Sequence, residues 1–215
     1  MSLALEYLIK EPKVILDKNP LLLLLHGYGS NEEDLFSFAS ELPENYYIIS
    51  ARAPYPLPPY GNAWYAIDFD ANMNKFSNDE QAIESRDLIV TFIDELLEKY
   101  PIDKNNVNLI GFSQGAILSY AIALSYPEKI NKVVALSGYF NQNIMKDGYE
   151  NNDFSKLQFF VSHGSLDQVI PVDWARKNPE VLNLLNVKNE YHEYNVGHGV
   201  APQNFFDFKR FLIEE

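Results

Sequence analysis

Apolar residues along the chain fall into two patterns, short unbroken runs and longer stretches at helical spacing. Residues 21–25 are five consecutive leucines bounded by Pro20 and His26-Gly27, which reads as a central strand buried on both faces. Runs at 46–50, 107–110, 132–136 and 157–162 read as further strands, and 190–194 alternates as a strand does. Residues 3–16 suggest one or two leading strands, ended by the turn-forming cluster Asp17-Lys18-Asn19-Pro20.

Helical spacing occupies the intervals. Ser77-Asn78-Asp79-Glu80 has the capping-box spacing, and beyond it Ile83, Leu88, Ile89, Phe92, Ile93, Leu96 and Leu97 recur on one face, predicting a core helix that ends before Pro101. Other helices are expected from Gly115 to about residue 126, across about 173–185, and from about Pro202 to Ile213. A short one follows the loop at His26, with Ser30 or Asn31 as its N-cap. The long irregular stretch is 51–76, where Pro54, Pro56, Pro58 and Pro59 precede Gly61 and the aromatics Trp64, Tyr65 and Phe69; a loop of this length with these aromatics predicts a packed functional segment. Alternating strands and helices with right-handed crossovers predict an α/β fold. Its central sheet is mostly parallel, helices cover both faces, and a site forms at the strands' C-terminal ends.

Composition narrows the picture. The 215 residues are 47% hydrophobic, with 14 Tyr and 14 Phe, which suits one packed domain over 1–215 rather than a disordered chain. The 17 basic and 30 acidic residues give a net charge of −13, which argues against nucleic-acid partners or anionic membrane surfaces. With no cysteine, thiolate chemistry and sulfur-bound metals are excluded. The histidines His26, His163, His192 and His198 are scattered, so no metal is expected, and Gly27-Tyr28-Gly29 lacks the remainder of a dinucleotide fingerprint. The N-terminus has no basic leader and the apolar runs are too short to span a bilayer, so a cytoplasmic protein without integral membrane association is expected.

The candidate chemistry lies at 111–115. Gly111-Phe112-Ser113-Gln114-Gly115 joins an apolar strand to an apolar helix, the context in which Gly-x-Ser-x-Gly forms a nucleophile elbow. A serine hydroxyl needs a base and a group that orients the base. In elbow hydrolases the chain order is serine, acid, histidine, which favours His198, between Gly197 and Gly199, over His163. Asp167 directly follows the apolar run at 157–162, unlike Asp147, Asp153 and Asp173, and is the expected acid. Backbone N–H groups of Gln114 and Tyr28 are the expected oxyanion donors.

Leu25-His26-Gly27-Tyr28-Gly29, Arg52-Ala53-Pro54, Trp64-Tyr65, the elbow, Leu136-Ser137-Gly138, His163-Gly164-x-x-Asp167 and Gly197-His198-Gly199 together resemble the phospholipase/carboxylesterase family, which includes acyl-protein thioesterases. The resemblance implies an α/β-hydrolase fold without a large lid domain, the triad Ser113, Asp167 and His198, and hydrolysis of esters or thioesters without a cofactor. The chain has Tyr28 and Ser30 where eukaryotic members commonly read Leu and Asp, and Trp64-Tyr65-Ala66 where they read Trp-Phe/Tyr-Asp. It thus looks closer to a bacterial carboxylesterase branch acting on short- to medium-chain esters. An acyl-protein thioesterase or lysophospholipase is the alternative, and a non-catalytic triad-bearing binding protein is the alternative from another class. Trp64, Tyr65, Tyr139 and Phe140 either line an acyl pocket or merely pack their loops. The expected partner is a small-molecule ester or thioester, with a homodimer through an exposed apolar patch left open.

Overall fold

The computed structural model describes residues 3–69 and 75–214. Its strands in chain order are β1 (Tyr7–Lys10), β2 (Asn19–Leu25), β3 (Tyr47–Ala51), β4 (Tyr55–Pro56), β5 (Asn62–Ala63), β6 (Ile67–Phe69), β7 (Lys75–Ser77), β8 (Ile102–Phe112), β9 (Lys132–Leu136), β10 (Gln158–Gly164) and β11 (Lys188–Tyr194). The α-helices are α1 (Glu33–Phe36), α2 (Asp79–Lys99), α3 (Gln114–Ser125), α4 (Val172–Ala175), α5 (Asn178–Leu184) and α6 (Pro202–Ile213). The main sheet runs β1-β3-β2-β8-β9-β10-β11, with every pairing parallel except β1 with β3.

The leucine run shows why the sheet must be covered twice. Side chains alternate across a strand, so Leu21, Leu23 and Leu25 enter the core beneath α2 and α3, while Leu22 and Leu24 enter the core with α1 and α6. All five are at most 1% exposed, and burial of each stabilises the fold by about 1.5–3 kcal/mol. Helix α3 is buried along its whole length, as its nearly continuous apolar sequence requires. Among the described residues no helix is long and apolar enough to cross a membrane.

Residues 3–16 supply a single strand, within the one or two expected. Several elements differ from the pattern read in the sequence. The 173–185 helix is broken into α4 and α5, because Pro179 lacks an N–H and its ring would clash with the Ala175 carbonyl in a continuous helix, whereas it fits the first turn of α5, where Asn178 beside it is buried. Residues 51–77 are not wholly irregular: β4 pairs with β5 and β6 with β7 as two short antiparallel ribbons. Residues 70–74 and the side chain of Phe69 lie outside the described part. The N-cap of α2 is Asn78, one residue past Ser77. Asn78 Oδ1 accepts from Gln81 N at 3.0 Å, while Gln81 Oε1 takes the N–H of Ala66, so the second arm of the expected box ties the loop to the helix instead.

Candidate active site

Strand β8 delivers Ser113 into a backbone conformation that non-glycine residues rarely adopt, with φ 52° and ψ −114°. The glycines around it are obligatory for contact reasons. A Cβ on Gly115 would overlap the Leu25 carbonyl, and one on Gly111 would come within 2.5 Å of Ser119 Oγ. Strand, turn and helix can therefore cross closely, and the strain of the turn is held by the bond from Ser113 N to Leu136 O at 2.9 Å.

The loop after β10 carries Asp167 and the loop after β11 carries His198. Parallel pairing of the two strands sets the loops side by side, and bonds from Ser165 N to Tyr194 O and from Leu166 N to Val196 O stitch them together. The structure thereby brings the three sequence-selected residues into one line: His198 Nδ1 lies 2.7 Å from Asp167 Oδ2, and His198 Nε2 lies 3.0 Å from Ser113 Oγ. The Phe112 ring, 4.9 Å from the imidazole by centroids, supports it from one side. Burial pushes the Asp167 carboxyl up, yet hydrogen bonds from His198, Ile170 N and Val169 N outweigh it and hold the group below the usual carboxylate range.

Tyr28 sits on the loop leaving β2. That loop is fixed on one side by His26, whose Nε2 accepts from Ala53 N and whose Nδ1 donates to Gly27 O, and on the other by paired bonds between Gly29, Ser30 and Asn62. Arg52 forms a two-pronged ion pair with the nearly buried Glu32, anchoring the same loop to the end of β3. The backbone N–H groups of Tyr28 and Gln114 have no acceptor among the described residues.

A cavity of about 260 Å³ opens at Ser113 and His198. Of the four sequence-selected aromatics, Tyr65 and Tyr139 line it, together with Tyr28 and Gln114. Trp64 and Phe140 do not. Trp64 is wholly buried, its Nε1 donating to His26 O, and acts as a tie between loops; Phe140 faces a neighbouring groove. Sequence reasoning missed Ile117, Ile170 and Trp174 on the cavity wall. Trp174 carried the one usable signal, an aromatic just past the acid loop. His163, set aside as the base, is buried with Nε2 2.9 Å from Ile170 O, which ties down the loop carrying Asp167, whose Oδ2 lies 3.2 Å away.

The phospholipase/carboxylesterase family profile matches residues 9–214. Acyl-protein thioesterase 1 of Yarrowia lipolytica is 26% identical over 206 residues, covering 90% of each chain, and that of Candida albicans is 26% identical, covering 89% of this chain and 90% of that protein. Among solved structures, the Bacillus cereus carboxylesterase superposes with a TM-score of 0.83 at 21% identity, covering 97% of this chain and 93% of that one. The Mesorhizobium loti carboxylesterase gives 0.82 at 16%, covering 99% and 96%. These structures share the fold.

Proposed function

Because the chain belongs to the phospholipase/carboxylesterase family of hydrolases, we propose that it is a serine carboxylesterase that works through an acyl-enzyme on Ser113. The observation that carries this reading is the unbroken contact line from Asp167 through His198 to Ser113 Oγ. Ser113 Oγ attacks the acyl carbon as His198 Nε2 takes its proton, and Asp167 stabilises the imidazolium. The carbonyl oxygen becomes an oxyanion facing the free N–H groups of Tyr28 and Gln114, each such donor being worth about 2.7–4 kcal/mol in the transition state. His198 then protonates the departing alcohol. A water enters, gives a proton to His198 and attacks the acyl-enzyme; the acid leaves and Ser113 recovers its proton.

The test is hydrolysis of p-nitrophenyl acetate by the wild type and Ser113→Ala. Loss of kcat by about 10⁴-fold or more is expected, and equal turnover by the two proteins overturns the mechanism. Thioester hydrolysis is the second reading, favoured by relatives named acyl-protein thioesterases that span 90% of the chain. Comparing oxygen esters and thioesters of one acyl group decides between them; binding without turnover of either points instead to a non-catalytic receptor.

A further inference from the structure

Two cavities meet at one pair of aromatic rings. The cavity at Ser113 and a groove of about 420 Å³ along α5 share Tyr139 and Trp174, whose rings stand edge to face with centroids 5.1 Å apart. The rings are held very differently. Tyr139 is held firmly: its phenol sits beside the Ser77 hydroxyl, and the buried Asn178 binds the backbone around it, accepting from Phe140 N at 2.9 Å and donating to Gly138 O at 3.1 Å. Trp174 rides on the four-residue helix α4 and is 49% exposed. One half of the partition is fixed and the other is a single side chain.

Chemistry decides which part of an ester lies against it. The alcohol must leave and water must enter between the two steps, whereas the acyl group stays on Ser113 through both. The acyl group therefore takes the enclosed side, where Tyr65 and Ile117 are 2% and 4% exposed. Even the whole cavity, at about 260 Å³, is smaller than the roughly 300–1,000 Å³ of cavities that hold drug-sized ligands.

We propose that the Tyr139–Trp174 pair is the wall that sets acyl length, so that short acyl groups ending at the wall are the substrate class and the α5 groove is its blocked continuation. This rests on the esterase reading above. Removing Trp174 should join the two spaces, and each methylene then accommodated changes kcat/KM by about 10- to 200-fold.

The experiment measures kcat/KM of wild type, Trp174→Ala and Trp174→Phe on p-nitrophenyl esters from acetate to decanoate, and on alkyl acetates with matched alcohol lengths. The wild type should favour the short acyl esters. Trp174→Ala should raise the decanoate-to-acetate ratio at least about tenfold, Trp174→Phe much less, and neither should change the alcohol series. A Trp174→Ala ratio within about twofold of wild type, or a shift in the alcohol series, overturns the proposal. Tyr139→Leu provides the same readout from the other ring. Failure of the esterase reading looks different: the wild type hydrolyses no member of either series.

Discussion

Asp167 Oδ2 accepts from His198 Nδ1 at 2.7 Å, Oδ1 accepts from Val169 N and Ile170 N, and His163 Nε2, which bonds Ile170 O, stands 3.2 Å from Oδ2. Both oxygens are held, so the carboxylate cannot turn without breaking one of these three bonds. Asp167→Asn would offer an N–H or a weaker acceptor to His198 and favour the wrong tautomer, so kcat should fall by about 10⁴-fold in steady-state assays. His26 makes a second argument at this scale. Burial pushes its imidazole down, and its geometry fits only the neutral ring, because Nε2 must accept from Ala53 N. A pKa depressed in the fold contributes stability above the unfolded value of about 6.5 and loses it as pH falls through the lower folded value. Urea midpoints should therefore decline on acidification below about pH 6.5, and His26→Asn should be less stable at neutral pH with a flatter decline. Asp167, also depressed, acts with the same sign at lower pH, below its unfolded value of about 3.9.

Among the elements, strands were the most legible in the sequence, because burial on both faces leaves apolar runs: 132–136, apolar after Lys132, is strand β9 to the residue, and α6 spans Pro202–Ile213 as its periodicity requires. What periodicity cannot see is a polar residue recruited by a distant backbone. Asn178 is such a residue, buried at the start of α5 to satisfy Phe140 N and Gly138 O, beside the Pro179 that interrupts the helix there. Asn178→Ala leaves both groups unpaired, at about 1–3 kcal/mol each, and should lower the unfolding midpoint accordingly in urea titrations. The cap of α2 slipped for the same reason, since Ala66 supplies both a donor and an acceptor to the helix start. Asn78→Ala should cost about 1 kcal/mol, whereas Ser77→Ala should spare the helix.

For the molecule as a whole, the three loops that carry Ser113, Asp167 and His198 could be ranked from chain order because the sheet's topology fixes which strand ends are neighbours. The cavity wall could not, since Trp64 and Tyr65 are adjacent in sequence yet one is a buried tie and the other a pocket lining. The net charge of −13 acts across the whole surface. Esters bearing a carboxylate should gain kcat/KM as salt shortens the screening length to about 10 Å at 0.1 M, while neutral esters should not respond. Finally, the Gln114 side chain grips the long loop from beneath, accepting from Trp64 N at 2.8 Å and donating to Tyr65 O at 2.7 Å. A loop transplanted from another hydrolase would retain turnover only if it offered an amide and a carbonyl at those two places. Changes of substrate are thus confined to side chains hung on a conserved backbone path, and random loop libraries between Ala53 and Ser77 should be rich in dead variants unless that path is preserved.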